Sequence, residues 1–435
     1  MIKDKSVTVQ YVADELLCNG CATCVSVCPV DCISIYESPT GLLQAEVDHE
    51  KCILCGACTK VCSATHVLPE LIRSGADPFS GRPLSGFCGY ARSRTVKENG
   101  KSGGIATALV SYLLDSGIVN KALLTAPQEN PLRHGPVVFK RGADLSPAQS
   151  SWYGPVGLNS VLKDIDDTGN LVYVGLSCQI RGLHNYLAHK KKGKEKPFII
   201  GLFCDSVLSY KTIDHLISGT KIQAKEISRF RYIDKRYGSF PGNCVIETKE
   251  GETVEVPNSK RVFVKRFLKP PYCFLCHDKL NMYSDISLGD TWGLDKSRQG
   301  QTAAVCWTQR GEELLKDAGK KGYIELGPAD LNKIEKGQDI ATRRATWNTS
   351  VSIWKERGRF VPDYGPPIPA TNHKVKTSHK AAKRFERSVR LFSSGTSKEF
   401  DRKFRHMRLL EFLPFKLKEM IAYATGIVLK RKDRV

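Results

Sequence analysis

Sixteen cysteines in 435 residues hold most of the chemistry this chain could do, and eight of them fall into two runs of one spacing. Cys18-x2-Cys21-x2-Cys24-x3-Cys28-Pro29 is the first; Cys52-x2-Cys55-x2-Cys58-x3-Cys62 repeats it 34 residues later, with Ser63 where the proline would stand. Three thiolates so spaced wrap one face of an iron–sulfur cube, and the fourth, carried away by a short helix, reaches the other cube. This rule assigns Cys18, Cys21, Cys24 and Cys62 to one [4Fe–4S] cluster and Cys52, Cys55, Cys58 and Cys28 to a second. A zinc-binding repeat is the alternative, but zinc takes four ligands and each run with its partner supplies too many. Ser63 leaves ligation intact and loosens the turn expected after Cys62. Cys32 reads as a spare buried thiol, and Cys88, alone after a connector from Gly75 to Pro83, as a packed one.

A second group of cysteines is dispersed. Cys273-Phe274-Leu275-Cys276 precedes Asp285-Ile286-Ser287-Leu288-Gly289-Asp290, a short strand pattern ending in a Gly-Asp turn. Earlier, the apolar runs Leu171–Leu176 and Phe198–Phe203 read as strands that stop at Ser177-Cys178-Gln179 and at Cys204-Asp205, with a helix pattern over Ile180–Ala188 between them. Ligands collect at the carboxyl ends of parallel strands in open α/β sheets. Two strand-end thiols plus the Cys273/Cys276 pair make four, a count that suits a third iron–sulfur cluster or a four-cysteine zinc site.

Lys101-Ser102-Gly103-Gly104 leads into an apolar helical pattern from Ile105 to Leu114. Ser102 is placed to cap that helix, and the glycines would let backbone amides approach an anion. A P-loop is excluded because Thr95 stands where its first glycine must be. A phosphate or pyrophosphate cradle of another design remains, against a glycine-rich helix start with no ligand.

Length allows two or three domains with a well-buried core. Hydrophobic and charged contents of 41% and 26% are those of an ordinary water-soluble chain. Many cysteines without a leader sequence imply a reducing, cytoplasmic setting and thiolate chemistry. The net charge of +21 points to a partner with negative charge: an anionic cofactor, an acidic protein, an anionic membrane face or nucleic acid. Nucleic acid is disfavoured, since no reader motif accompanies the charge.

Residues 9 to 68 resemble a bacterial-type two-cluster ferredoxin. The ordered set Lys101-Ser102-Gly103-Gly104, Ser177-Cys178-Gln179, Phe203-Cys204-Asp205, Cys273-x2-Cys276 and Asp285–Asp290 resembles the beta subunits of coenzyme F420 hydrogenases and dehydrogenases, over about residues 85 to 340. With the ferredoxin repeat in front, the chain is similar to members such as the electron-input subunit of the reduced-F420 dehydrogenase. The resemblance implies an α/β domain that binds FAD without a Rossmann fingerprint and one [4Fe–4S] cluster beside the flavin. Carried over, Cys178, Cys204, Cys273 and Cys276 would be that cluster's ligands. The flavin would lie near Lys101, Ser102, Gly103, Gly104, Ser177, Gln179, Asp285, Gly289 and Asp290. No side-chain acid or base is named, because hydride transfer takes place at the flavin. The deazaflavin's polyanionic tail would meet Lys101, whereas Arg229, Arg231, Lys235 and Arg236 read more simply as a solvated face. Ferredoxin-dependent reductases of other organic substrates share the family, and a non-catalytic electron relay is a further alternative; fold and cofactors transfer among such relatives, but the substrate does not.

The expected fold class is α+β. Residues 1–72 form the ferredoxin-like domain, 73–97 a linker, 98–345 the FAD and iron–sulfur domain, and 346–435 a proline-containing linker and basic tail. From residue 373 onward, 18 Lys/Arg face 6 Asp/Glu. These interleave with Phe385, Leu391, Phe392, Phe400, Phe404, Leu409, Leu410, Phe412 and Phe415, as in basic amphipathic helices. A last apolar run, Met420–Leu429, is too short to span a bilayer. The tail is expected to dock on a redox partner complex, a ferredoxin or the inner face of an anionic membrane.

Overall fold

The computed structural model describes residues 7–68, 71, 76–165, 168–190, 196–238, 240–294, 300–362 and 378–412. The proline run 363–369, the apolar run Met420–Leu429 and the side chains of Leu410, Phe412 and Phe415 lie outside the described residues.

The cysteine repeat folds as two matching halves. Helices Thr23–Val27 and Ala57–Lys60 each start from a left-handed residue, Ala22 at φ 67° and Gly56 at φ 68°, placed between the second and third cysteines of its run. That turn folds the chain back so that three thiols face one point. Strands β1 (Ile33–Glu37) and β2 (Leu43–Val47) pair antiparallel beneath them, and helix Val9–Asp14, capped by Thr8, closes the side. Ser63 is fully buried: its Oγ accepts from Asn19 Nδ2 at 3.1 Å and lies 3.5 Å from Cys21 Sγ. The turn expected to be loose is therefore tied down by a hydroxyl that proline could not supply.

The second unit is a mixed sheet of eight strands: β3 (Ser85–Ala91), β4 (Lys121–Pro127), β5 (His134–Lys140), β6 (Leu171–Gly175), β7 (Phe198–Leu202), β11 (Ile286–Asp290), β12 (Thr302–Cys306) and β13 (Ile324–Pro328). Their order is β13-β3-β12-β11-β7-β6-β4-β5, with β4, β6, β7 and β11 parallel to one another and the remaining pairs antiparallel. Strands β8 (Ile227–Asp234), β9 (Asn243–Thr248) and β10 (Thr253–Val256) form a separate antiparallel sheet. The stretch expected as a linker, 73–97, instead supplies β3 and helix Arg94–Asn99. Its run Ser85–Ala91 pairs on both edges, which the small residues Gly86 and Gly89 permit: a Cβ at Gly89 would meet Glu325 O at 1.8 Å.

Alternation along the strands sorts side chains to two faces. Val172, Ile200, Ile286 and Leu288 meet helices Ile105–Asp115 and Gln309–Lys320. Leu171, Tyr173 and Ile199 meet helix Ser177–Lys190, and Val27, Ala57 and Val61 of the ferredoxin unit join that same core. The ferredoxin unit is thus packed on one face of the sheet.

Helix Ile340–Glu356 runs through the boundary expected at residue 345. It carries Arg343 and Trp347 against the Cys273–Cys276 turn, with Trp347 Nε1 donating to Leu275 O at 2.8 Å. Helices His379–Phe392 and Ser397–Phe412 follow, as the tail pattern predicts. Their apolar stripe is covered within the chain: Phe385, Phe392, Phe400 and Phe404 are buried with Phe267, Phe274 and Trp354. A helix whose apolar face is already packed cannot offer it to a membrane, so the described part of the tail has a folding role. No described helix is long and apolar enough to cross a membrane.

Candidate functional site

Two small cavities lie in the ferredoxin unit. Cys18, Cys21, Cys24 and Cys62 line one, with Val12, Ile35 and Ala45. Cys28, Cys52, Cys55 and Cys58 line the other, together with Cys32, Ile53 and Leu54. Each cavity draws its fourth cysteine from the opposite repeat, the grouping the spacing predicts. Cys32 Sγ sits 3.5 Å from Cys28 Sγ, so it belongs to the wall of the second cavity. The second cavity is rimmed by Cys55, Ile53 and Leu54, all exposed.

The dispersed cysteines are near enough to act on one another electrostatically, although no group of three or more metal-type ligands is drawn together among the described residues. Cys178 is the second residue of helix Ser177–Lys190, which starts three residues before the expected Ile180, and Cys204 follows β7. Cys273 and Cys276 stand on the turn after helix Asn258–Leu268. Burial raises all three of Cys178, Cys204 and Cys273, the last to about 12, and charge on neighbouring thiols of the group adds to the shift in each. Buried thiols held neutral in this way become ligands when a metal centre supplies compensating charge. Arg343, 5% exposed, clamps the group: it donates to Cys273 O (3.0 Å), Cys204 O (3.0 Å) and Asp205 O (2.7 Å). The sequence offers no signal for Arg343, since it lies 67 residues beyond Cys276, on a helix that crosses the boundary expected before the tail.

A cavity of about 610 Å³ opens at the carboxyl ends of β4, β6, β7 and β11, within the usual range for a cofactor site. Lys101, Ser102, Gly104, Gln179, Gly289 and Asp290 line it, as does Cys204. Asp290 gathers the motif residues: Lys101 Nζ donates to Oδ2 at 2.6 Å, Ser102 Oγ to Oδ1 at 2.5 Å, and Trp292 Nε1 to Oδ2 at 3.1 Å. Burial opposes both charges, but Tyr153 and Asp290 outweigh it to hold Lys101 above its ordinary value, and Lys101 holds Asp290 below its own. Ser102 is therefore not the helix cap; that position belongs to Gly104, at φ 79° with no side-chain bond.

Three expected cofactor residues lie elsewhere. Gly103 is beneath the loop: its N–H donates to Thr302 Oγ1 at 2.9 Å, and a Cβ would strike Gly89 O at 2.5 Å, so this amide is not free to cradle an anion. Ser177 points away from the cavity and donates to the buried Asp278. Asp285 is at the opposite end of β11, where it accepts from Ile199 N (2.9 Å), Thr308 Oγ1 (2.8 Å) and Arg310 Nη2 (2.6 Å). Gly289 is required for a packing reason, because a Cβ there would meet Phe203 Cδ2 at 2.0 Å. Of the four basic residues read as a solvated face, Arg229 and Arg236 are exposed as expected, whereas Arg231 is buried and Lys235 half-buried. Arg231 and Arg236 pair with buried Asp234. Lys235 Nζ donates to the carbonyls of Lys97 and Ser102 and so braces the Lys101 loop; burial pulls its pKa down to about 8.

Aromatic residues that the sequence did not single out form the far wall. His134 stacks on Trp152 with ring centroids 3.8 Å apart and 6° between planes. Its Nδ1 is buried without a hydrogen-bond partner among the described residues, and burial lowers its pKa to about 3. Because the folded value lies below the ~6.5 of a free histidine, neutral His134 contributes its full stability above about pH 6.5 and loses it as pH falls toward 3. By pH 5 the expected loss is ~2 kcal/mol. His134→Phe should flatten that part of the curve of denaturation midpoint against pH; an unaltered curve would refute the assignment.

The arrangement defines a class: a chain in which a cysteine-rich ferredoxin-type unit is fused to a mixed α/β unit with its own cysteines and a cofactor-sized cavity. A model of the 4Fe-4S dicluster domain matches residues 17–65. Models of the N-terminal and C-terminal parts of the coenzyme F420 hydrogenase/dehydrogenase beta subunit match residues 87–163 and 168–332. The chain belongs to the coenzyme F420 hydrogenase/dehydrogenase beta-subunit family, a family of iron–sulfur F420-dependent oxidoreductase subunits. Among its relatives, the coenzyme F420-dependent sulfite reductase of Methanocaldococcus jannaschii is 25% identical over 375 residues, covering 81% of this chain and 53% of the relative. This chain thus spans about half the length of that protein. The coenzyme F420 hydrogenase subunit beta of Methanosarcina barkeri is 22% identical, covering 64% and 97% of the two chains. An F(420)H(2) dehydrogenase subunit of Methanosarcina mazei is 20% identical, covering 70% and 83%. A chain of the F420-reducing [NiFe] hydrogenase complex of Methanosarcina barkeri shares the fold, with a TM-score of 0.52 and 20% identity over 67% of this chain and 99% of that one.

Proposed function

We propose that this chain holds FAD in the large cavity and a third [4Fe–4S] cluster on Cys178, Cys204, Cys273 and Cys276, and that it exchanges a hydride between coenzyme F420 and the flavin. Single electrons would then pass between the third cluster, the two ferredoxin-unit clusters, and a ferredoxin or a redox partner complex. The observation that carries this reading is the position of Cys204, which belongs to the four-thiol group and also lines the cavity. Bound flavin supplies the chemistry that joins a two-electron hydride donor to one-electron carriers.

What the chain's own residues contribute is placement. Lys101, Arg261, Lys265 and Lys279 bring positive charge to the cavity wall for an anionic cofactor. Asp290 keeps Lys101 charged and aimed, and Trp152, Tyr153 and Phe203 provide apolar surface for ring systems while keeping water out. The cavity of Cys28, Cys52, Cys55 and Cys58 is the natural port for the partner, with exposed Ile53 and Leu54 at its rim. Relatives named as subunits of hydrogenase and dehydrogenase support such a partner complex.

The test uses anaerobically purified protein with iron, sulfide and FAD quantified, mixed with reduced coenzyme F420 while absorbance is followed. Flavin and clusters should bleach within seconds. If reduced ferredoxin fills them and reduced F420 does not, the deazaflavin assignment fails and a ferredoxin-driven reductase of another substrate replaces it.

A further inference from the structure

A second cavity, of about 330 Å³, adjoins the large one and shares His134, Gln149, Ser150, Ser151 and Trp152 with it as a common wall. Three prolines and the β8 segment 228–231 contribute to the rest of its lining, and no acidic residue lines it among the described residues. Each of the two cavities has the size of a site for one ligand. β8 pairs regularly with β9 from Arg229 to Arg231, with register shifts on either side, so alternation puts both arginines on one face of the strand. Buried polar atoms without partners collect in this lining. Arg231 is 5% exposed, and its Nε and Nη2 make no hydrogen bond among the described residues; Nη1 lies 3.5 Å from Asp234 Oδ2 and 3.5 Å from Asn99 O. Gln149 Oε1 and His134 Nδ1 are likewise buried and without a partner among the described residues. Burial and the charge of Arg229 pull Arg231 below its ordinary value against the opposing charge of Asp234, yet a guanidinium keeps its proton.

Native proteins leave few buried polar groups unmade, and several bordering one cavity point to a ligand that completes them. In the large cavity, by contrast, Lys101 is already engaged by Asp290 at 2.6 Å. We propose that the second cavity is an anion subsite, in which Arg231 and Arg229 take a carboxylate or phosphate carried by the substrate whose ring meets the flavin in the adjoining cavity. The proposal rests on the flavin assigned above to the large cavity. Its physical basis is that a guanidinium fork matches the oxygens of either anion with paired, charge-assisted hydrogen bonds, stronger where water is excluded. Because the anion is held apart from the reacting ring, the anchor binds ground state and transition state alike and acts on KM.

The experiment uses the full-length protein loaded with flavin and iron, and follows flavin bleaching by two donors: reduced coenzyme F420, and its reduced deazaflavin–ribitol fragment, which keeps the ring and lacks the anionic tail. In wild type the KM of the fragment should exceed that of the whole coenzyme. This ratio should fall about tenfold or more in Arg231→Met, and by a smaller factor in Arg229→Met, whose side chain is 43% exposed. A ratio near one in wild type, or one that neither variant moves while FAD is retained, overturns the subsite. If Arg231→Met loses FAD or fails to fold, Arg229→Met decides: a reduced ratio supports the proposal and an unmoved one overturns it. If wild type is bleached by neither donor, the deazaflavin reading fails on its own account, and calorimetric titration with inorganic phosphate and with glutamylglutamate tests the subsite alone. Binding of either probe that weakens in Arg229→Met keeps the subsite and tells phosphate from carboxylate; binding of neither, or binding that the variant leaves unchanged, overturns it.

Discussion

Asn159→Leu is expected to destabilise the chain by about 3 kcal/mol or more and to slow electron passage into the ferredoxin unit, with flavin bleaching unchanged. Asn159 is fully buried, and every polar group it carries is used. Its Oδ1 accepts from Tyr173 OH at 2.6 Å, while Nδ2 donates to Thr23 Oγ1 at 2.8 Å and to Gln179 O at 2.9 Å. Its backbone N–H donates to Cys21 O at 3.0 Å, and its carbonyl accepts from Ser26 Oγ at 2.6 Å. One side chain thus ties the helix carrying Cys24 to the helix opened by Cys178. Gly182 makes that contact close, since a Cβ there would meet Thr23 Oγ1 at 2.2 Å. Leucine fills similar volume but leaves the Tyr173 hydroxyl without its acceptor and takes a donor from Thr23 Oγ1 and from the Gln179 carbonyl. Denaturant unfolding and rapid mixing with reduced F420 would measure the two effects. A variant within about 1 kcal/mol of wild type, with unchanged cluster reduction, would show that the hub does not set the junction.

The second large effect is expected at Arg343. Replacement by methionine strips donors from the carbonyls of Cys204, Asp205 and Cys273 and leaves the Asp205 carboxylate with Lys265 and Lys269 alone. Arg343 is buried but the Asp205 side chain is 43% exposed, so solvent screens their ion pair; the main cost is that of buried carbonyls losing a charged donor, ~1–3 kcal/mol, and it falls on the two loops that hold the dispersed thiols. The measurement is iron and sulfide per chain: one cluster's worth should disappear, with the ferredoxin-unit signals retained. Arg343→Lys should not restore it, because an ammonium presents a point charge and not a planar fork able to reach three carbonyls. A full complement in Arg343→Met would refute the clamp.

Some of this site was legible in the order of residues alone. The repeat around Cys18 and Cys52 is local: four thiols at short intervals, each run turned by a left-handed residue, leave little choice about which sulfurs can share a centre. Strand ends were legible too, since apolar runs that stop at Cys178 and Cys204 place both thiols on the ligand side of parallel strands. The Asp285–Asp290 motif shows where such reading stops. A strand rises ~3.3 Å per residue, so the two carboxylates stand roughly 16 Å apart at opposite ends of β11. One joins Lys101 in the cavity and the other joins Arg310 beneath the sheet.

The sequence by itself determined the ferredoxin-type unit and the family of the α/β unit, because those depend on spacing along a few turns of chain and on an ordered set of short motifs. Only the tertiary structure decided that Ser85–Ala91 enters the sheet between β13 and β12, that the described tail helices pack on the chain's own core, and that Asn159 and Arg343 bind the cysteine-bearing segments together. Those outcomes depend on contacts between segments tens to hundreds of residues apart, where burial and hydrogen-bond completion select the partners and no local periodicity announces them.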